Sequence, residues 1–325
     1  MAQKGDVFYQ TVRPYQMNNY LFDLPFYNFV FSTGYAQLRP SGDSYFLLSR
    51  LQEKKFVADV LDKSTGTSYP AINSSDLAKI EIGIAPNIHE QSKVGSFFRN
   101  LDDIIHATQR KVAGMKQLKA AYLQQMFPQA GECVPRVRFS GFDSEWENKK
   151  LGEVASFNPR STLPNTFEYV DLESVVGTSL ISHRTENKET APSRAQRLAQ
   201  RGDVFFQTVR PYQMNNYLFD LPFDDYVFST GYAQLRPDIH SYFLLCRLQE
   251  ESFVAKVLDR CTGTSYPAIN STDLAEIEIS VALDNKEQTA IGDFFCNLDM
   301  QIETQSEKVE KLRQLKVAYL QKMFV

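Results

Sequence analysis

The sequence predicts an α+β protein in which two repeated globular domains, the first truncated, are separated by two long antiparallel coiled-coil helices. Three observations carry this prediction. Residues Gln3 to Phe127 align with Gln200 to Phe324 at a constant offset of 197 without a gap. Each copy opens with β-rich runs broken by turn residues. Each copy ends in a stretch of about 38 residues with helical apolar spacing.

The globular part of each copy is predicted from runs of aromatic and β-branched residues that alternate with Pro, Asn and Gly turns. The clearest runs are DVFFQTV (203–209) and YVFSTGYAQL (226–235). One short helix is expected after these two runs, at Ser241 to Asp259. The first copy has no counterpart of Pro128 to Arg197, so its globular domain is expected to be truncated.

The helical part of each copy is predicted from apolar residues at three- and four-residue steps, with charges between them and no proline. Two such helices in one chain are expected to pack on each other. The apolar residues of these helices are expected to form core rather than a docking face. The alternative is that residues such as Phe295, Tyr319 and Leu320 remain for a partner, because a pair buries only one side of each helix. The predicted order is 1–83 for the truncated first domain, 84–127 for the first long helix, 128–282 for a linker and the complete second domain, and 283–325 for the second long helix.

Composition narrows the class of protein. The chain has 325 residues, 43% hydrophobic, and a formal net charge of −4, which disfavours binding to nucleic acid through bulk positive charge alone. The cysteines and histidines lack metal-ligand spacing, so no metal and no cofactor is expected. No apolar run is long enough to span a bilayer and no signal peptide is recognisable, which favours a cytoplasmic protein and no membrane partner.

The long-helix sequences carry a family likeness. Four segments resemble the specificity subunits of type I restriction-modification systems. The two helical segments are HEQSKVGSFFRNLDDII…MKQLKAAYLQQMF (89–127) and KEQTAIGDFFCNLDMQI…LRQLKVAYLQKMF (286–324). The other two are VPRVRFSGFDSEWENKKLGEVASF (134–157) and TGTSYPAIN (262–270). The resemblance implies two target-recognition domains that read a bipartite site in double-stranded DNA. It also implies docking of two modification (methyltransferase) subunits, with restriction (endonuclease/translocase) subunits as further partners and no catalytic residues in this chain.

Two loops of each copy are the candidate DNA-binding segments. RPYQMNN places Arg, Gln and Asn, which make bidentate contacts with guanine and adenine, in one proline-marked loop. TGTSY offers hydroxyl and backbone donors to phosphates. The alternative for both is that they are ordinary turns beside the core. The candidate residues are Arg13, Tyr15, Gln16, Asn18, Asn19, Thr65, Thr67, Ser68 and Tyr69 in the first copy, and Thr208, Arg210, Tyr212, Gln213, Asn215, Asn216, Thr262, Thr264, Ser265 and Tyr266 in the second.

Other functions are weaker readings of the same sequence. DLPF (220–223) faintly resembles an amino-methyltransferase signature, but its second residue is Leu and no Gly-rich cofactor loop precedes it. DSEWENKK (143–150) has the carboxylates and lysine of a metal nuclease, yet it is also typical of a solvated linker. The main alternative from another class is a coiled-coil protein-binding scaffold without direct DNA contact.

Overall fold

A computed structural model describes residues 1–129, 131–263 and 265–324. The chain divides into two compact units. The first unit is Met1–Gly114 with Glu303–Val325, and the second is Met115–Ile302. The division falls within both long helices, so each unit contains part of each helix. Both units mix helices and strands, and the predicted α+β class is confirmed.

Short elements make up the globular part of the first unit. Its strands follow the predicted β-rich runs, and α1 begins where the Asp43 side chain accepts a hydrogen bond from Phe46 N. The elements are β1 (Val7–Gln10), β2 (Tyr20–Leu21), β3 (Tyr35–Leu38), α1 (Ser44–Arg50), α2 (Lys54–Asp62), α3 (Ser74–Leu77) and the long helix α4 (Ile88–Gln125).

The second unit repeats these elements and adds strands before, between and after them. The elements that follow α4 are β4 (Glu147–Lys150), α5 (Leu151–Val154), β5 (Ala155–Phe157), β6 (Thr166–Val170), β7 (Val175–Val176), β8 (Ser179–Leu180), β9 (Arg184–Asn187), β10 (Ala195–Leu198), β11 (Val204–Gln207), β12 (Tyr217–Leu218), β13 (Tyr226–Ser229), β14 (Tyr232–Pro237), α6 (Ser241–Leu248), α7 (Glu251–Leu258), α8 (Ser271–Ala275), β15 (Glu278–Val281) and the long helix α9 (Asn285–Met323).

The sheets of the two units differ in extent. In the first unit the strand order is β2-β1-β3, with antiparallel neighbours. The second unit has the corresponding order β12-β11-β14 and then β5 on the outer edge of β14. A further sheet, β10-β13-β6-β9, and the pair β15-β4 have no counterpart among the described residues of the first unit.

The single helix predicted at Ser241 to Asp259 is wrong, because two helices, α6 and α7, occupy this range. Glu250 lies between them with extended backbone geometry and pairs with Arg247. Both side chains are buried. Burial raises the pKa of Glu250 to about 7, although the Arg247 charge opposes this shift. The break in the helix therefore coincides with a buried ion pair that helical spacing alone does not reveal.

The long helices contact each other in antiparallel fashion within each unit. In the first unit the Phe97 and Tyr319 rings are 5.0 Å apart between centroids, and Lys316 pairs with Asp102 at 2.7 Å. The second unit has the equivalent contact of Lys119 with Asp299 at 2.6 Å. Contacts therefore run in opposite directions along the two helices.

The structure favours core for these residues, and the alternative that Phe295 and Leu320 remain for a partner is wrong. Phe295 is fully buried in the core of the second unit, and Leu320 is buried beside Phe98 and Phe324 in the first. Tyr319, the third residue, is partly buried against that same cluster. The globular part of each unit covers a helix face that a two-helix pair would leave open.

Candidate nucleic-acid interface

The Arg210 loop of the second unit has a tight and unusual backbone. It follows β11 and contains one turn of 3-10 helix at Pro211–Gln213. Arg210 and Met214, on either side of that turn, both have left-handed backbones with φ of 55° and 52°. Left-handed geometry is uncommon for residues other than glycine and requires support from the surrounding structure. The loop is therefore held in a defined conformation.

The support comes from one buried and one partly buried amide that the sequence did not point to. Gln207, at the end of β11, donates from Nε2 to the Val209 carbonyl at 2.7 Å and to Gln213 Oε1 at 2.8 Å. The Gln249 amide donates to the Met214 carbonyl at 3.0 Å. A signal was present, because a Gln precedes Thr-Val-Arg-Pro in both copies, but its role depends on the folded loop.

The TGTSYPAIN loop packs beside the Arg210 loop although more than 50 residues separate them in sequence. Arg210 N donates to the Pro267 carbonyl at 2.7 Å. The Arg210 guanidinium lies over the Tyr266 ring, 5.5 Å from its centroid, within the range of cation–π attraction. Thr262 and Ala268 close the loop with two backbone hydrogen bonds. The structure therefore joins the two candidate segments into one surface, the Arg–Tyr platform (Arg210 and Tyr266).

The first unit contains the same arrangement. Arg13 has φ of 53°, and its guanidinium lies 5.5 Å from the Tyr69 ring centroid. Arg13 N donates to the Pro70 carbonyl at 2.7 Å. We call this pair the first-unit Arg–Tyr platform. Two copies of one sequence thus reach the same local geometry.

Several predicted residues are exposed around the platforms. Tyr212 and Tyr266 expose about half and two thirds of their surface, 49% and 68%. The other exposed candidates are Gln213, Thr262 and Ser265 in the second unit and Tyr15, Gln16, Asn18, Thr65, Thr67, Ser68 and Tyr69 in the first. Thr264, a further candidate, lies outside the described residues.

Two candidates in the second unit point to a structural role instead. The Asn216 side chain is only 1% exposed and accepts a hydrogen bond from Gln207 N at 2.9 Å. The Thr208 hydroxyl is buried and donates to the Gly231 carbonyl at 2.8 Å. Because both polar groups form hydrogen bonds inside the unit, their burial favours a structural role in supporting the loop, and their contact with DNA stays a prediction. Asn19, the counterpart of Asn216, is only partly buried and accepts from Gln10 N at 2.9 Å.

Asn215 occupies an intermediate position. Its side chain is partly buried and accepts a hydrogen bond from the Gly177 amide at 2.8 Å. Gly177 belongs to the β7-β8 turn, which has no counterpart in the first unit's described residues. This contact engages the amide oxygen of Asn215.

The electrostatic character of each platform comes from the arginine. Arg13 Nε and Arg210 Nε are buried, and neither has a hydrogen-bond partner within the described part of the chain. A buried donor without a partner costs free energy, and the rest of the structure must offset this cost. Across residues 1–129, 131–263 and 265–324, no cluster of three His, Cys, Asp or Glu side chains could hold a metal ion. None of the described helices is long and apolar enough to cross a membrane.

Comparison with known proteins places the chain in a family. The family model described as the type I restriction modification DNA specificity domain matches residues 143–314, just over half of the chain. The chain therefore belongs to this family, and the predicted resemblance is confirmed. The HindI type I restriction enzyme specificity subunit of Haemophilus influenzae is 23% identical over 192 residues, which are 56% of this chain and 41% of that protein. The chain thus spans about two fifths of this curated relative's length.

Solved structures support the fold. The type I restriction-modification S subunit from M. genitalium matches with a TM-score of 0.68 and 18% identity, covering 100% of this chain and 84% of that one. A chain from a study of complex assembly and conformational transition of the type I R-M system matches with a TM-score of 0.57 and 22% identity, covering 99% and 82%. At such identities the likeness concerns the fold alone.

Proposed function

We propose that this chain is the DNA sequence-recognition subunit of a type I restriction-modification complex and that each Arg–Tyr platform reads part of a bipartite target in double-stranded DNA. The observation that carries this proposal is the platform itself, formed twice from segments far apart in sequence. In this proposal the repeated units are two target-recognition domains, and the paired long helices are the coiled-coil spacer between them.

The platform suits direct readout for a physical reason. A guanidinium presents a planar fork of donors that matches O6 and N7 of guanine in the major groove. Stacking on Tyr266 restricts the Arg210 side chain before DNA arrives, so less conformational entropy is lost on binding. Gln213 and Asn215 supply amides for adenine, and the exposed ring of Tyr212 supplies an apolar contact. Ser265 offers a hydroxyl to a phosphate.

The partners follow from family membership. With a net charge of −4 the chain has little bulk attraction for DNA, so modification subunits are proposed to supply much of the positive surface. We assign two modification subunits to the long helices, where Leu118 and its repeat counterpart Leu315 are similarly exposed, at 46% and 43%. Restriction subunits would join this assembly, which we place in the cytoplasm.

Catalysis is assigned to those partners. The proposal gives this chain no methylation or cleavage activity, since DNA specificity is the role described for its family. The alternative of a coiled-coil scaffold without DNA contact is not favoured by that membership.

A salt-dependent binding assay tests the proposal. The chain is combined with a matched modification subunit and titrated with a pool of random duplexes, and bound duplexes are recovered and sequenced. A split motif enriched over the starting pool is the expected result. Recovery of the assembly with no enrichment at any salt concentration would support the scaffold instead.

A further inference from the structure

An apolar surface of the first unit is uncovered where the second unit is covered. Val30 is 77% exposed, whereas its repeat counterpart Val227 is fully buried. Phe29 is 41% exposed against 6% for Tyr226. We call this surface the open face, and it consists of Tyr20, Phe29, Val30, Phe31 and Tyr35. Groups of exposed apolar side chains of this kind mark interaction sites.

The second unit shows what covers such a face. There Val227 lies in β13, which pairs in parallel with β6 and antiparallel with β10. The equivalent stretch of the first unit, residues 29–32, forms no strand. The rings of Phe228 and Tyr232 are buried with Val170 and Val175 of the covering segment. The open face therefore lacks two strands and the side chains they carry.

A groove in the first unit is also covered at the corresponding place in the second unit. It encloses about 480 Å³ in the first unit, and its lining includes Leu38, Leu77, Ile80 and Ile82. The counterparts of these residues in the second unit, Leu235, Leu274, Ile277 and Ile279, are buried together with Leu151 and Val154.

The edge of β3 lies beside this groove and has no neighbouring strand among the described residues on its outer side. In the second unit β5 pairs with the corresponding strand, with Phe157 opposite Leu235 and Ala155 opposite Pro237. An unpaired strand edge is a template for pairing with another segment.

We propose that the first unit binds a polypeptide segment with the residue pattern of 147–198, through β-strand addition to β3 and burial of the open face. Its apolar side chains at the positions of Leu151 and Val154 would fill the groove. A residue opposite Leu38 would take the place of Phe157. At the position of Gly152 the segment must be small, because a Cβ there lies 3.3 Å from Ala275 Cβ and 3.4 Å from its carbonyl oxygen. The inference concerns stability and assembly of the first unit and does not depend on DNA binding.

The chain offers its own probe for this proposal. Residues 128–199 are duplicated ahead of Gln3, so that the added segment meets the first unit at the join that the repeat defines. Hydrogen exchange is then measured at the amides of Tyr35–Leu38 and of residues 29–32, in the original and the extended chain. The proposal expects exchange at both stretches to slow at least tenfold, since new strand pairing and burial protect those amides.

Matched variants distinguish burial of the open face from a general effect of the added segment on hydrogen exchange. Val30→Asp in the extended chain should abolish the protection, because a carboxylate replaces a side chain whose counterpart is fully buried. Tyr27→Asp should leave it within twofold, since Tyr27 is 73% exposed and its counterpart in the second unit is Asp224. Gly152→Leu in the added copy should reduce protection beside the groove.

Two outcomes would overturn the proposal. One is unchanged hydrogen exchange at these two stretches in the extended chain, while the amides of the second unit remain protected and so show that the chain is folded. The other outcome combines two results. The original chain self-associates in sedimentation and Val30→Asp abolishes this association, while the extended chain shows no added protection from exchange. That result would assign the open face to a second copy of the chain.

Discussion

The two units contain nearly the same sequence in different surroundings, and they differ in some places but not in others. The Arg–Tyr platforms are the same, with arginine φ of 53° and 55° and ring distances of 5.5 Å in both. The segment FSTGYAQL is identical in both copies, yet it begins with a strand in the second unit and with irregular chain in the first. Loop conformation is thus specified by nearby residues, whereas strand formation also depends on a partner strand.

The largest expected difference between the units concerns Val227 and Val30. Val227→Asp places a carboxylate in a fully buried strand, so we expect the second unit to lose about 3 kcal/mol or more of stability. Val30→Asp in the unextended chain should change the first unit by less than about 0.5 kcal/mol. Both changes in stability are measured by denaturant unfolding, with hydrogen exchange of the amides in each unit as the probe. Equal losses would mean that the open face is buried in the isolated chain.

A smaller loss of stability, equal in the two units, is expected when the hydrogen bond between a tyrosine and a long helix is removed in either unit. Tyr242 donates to Asp299 at 2.6 Å, and Tyr45 donates to Asp102 at 2.8 Å. Removing either hydroxyl, as Tyr242→Phe or Tyr45→Phe, should cost about 1.5–3 kcal/mol, the range for hydrogen bonds to charged groups. Urea unfolding of the two variants provides the comparison. A twofold difference between them would show that the units do not share this contact equally.

The same tyrosines predict a pH dependence. Burial, with a further contribution from the neighbouring aspartate, raises the pKa of Tyr45 and of Tyr242 above the ordinary value of 10. Because the folded state holds these protons more tightly, their contribution to stability is complete below pH 10 and decreases as pH rises above it. Each Tyr→Phe variant should show a shallower loss of stability above pH 10 than the original chain. Parallel curves would contradict the shifted pKa values.

The smallest expected effect lies in the loop that holds the platform tyrosine. Gly263 has φ of 86°, and an added Cβ would lie 3.1 Å from the Tyr266 carbonyl oxygen. Gly263→Ala should therefore cost about 1 kcal/mol and disturb the stacking of Arg210 on Tyr266. Gly114→Ala, in a helix with open space around it, is the control and should stabilise slightly. Thermal unfolding of both variants is the measurement, and a neutral Gly263→Ala would show that the loop tolerates another conformation.

Sequence patterns were sufficient for some features because these depend on local residues. The long helices, predicted at 84–127 and 283–325, are found at Ile88–Gln125 and Asn285–Met323, because apolar spacing indicates them. The buried Arg247–Glu250 pair, which lies at the break in the predicted single helix, has no periodic signature. Burial of Phe295 does not follow from helical spacing, because its core includes Phe243 and Trp146 of the globular part as well as Phe127 at the end of the first long helix.

The candidate site was predictable in part for the same reason. The residue types of RPYQMNN and TGTSY indicated both loops, but their contact is tertiary, since Arg210 meets Pro267 and Tyr266 only in the folded unit. The support from Gln207 and the burial of Asn216 follow from the loop's left-handed backbone, which spacing does not encode.

The central claim is that the Arg–Tyr platforms read DNA, and the most direct test compares Arg210→Lys with Arg13→Lys. Lysine retains the positive charge but lacks the bidentate fork. Each variant, assembled with modification subunits, is titrated with the duplex enriched by the original chain and with a shuffled duplex.

We expect Arg210→Lys to weaken binding of the enriched duplex by about 1–3 kcal/mol and to relax selection at one half of the motif. Arg13→Lys should act on the other half, and binding of the shuffled duplex should change little in either variant. Unchanged motif and affinity in both variants, or equal losses on both duplexes, would contradict base reading by the platforms.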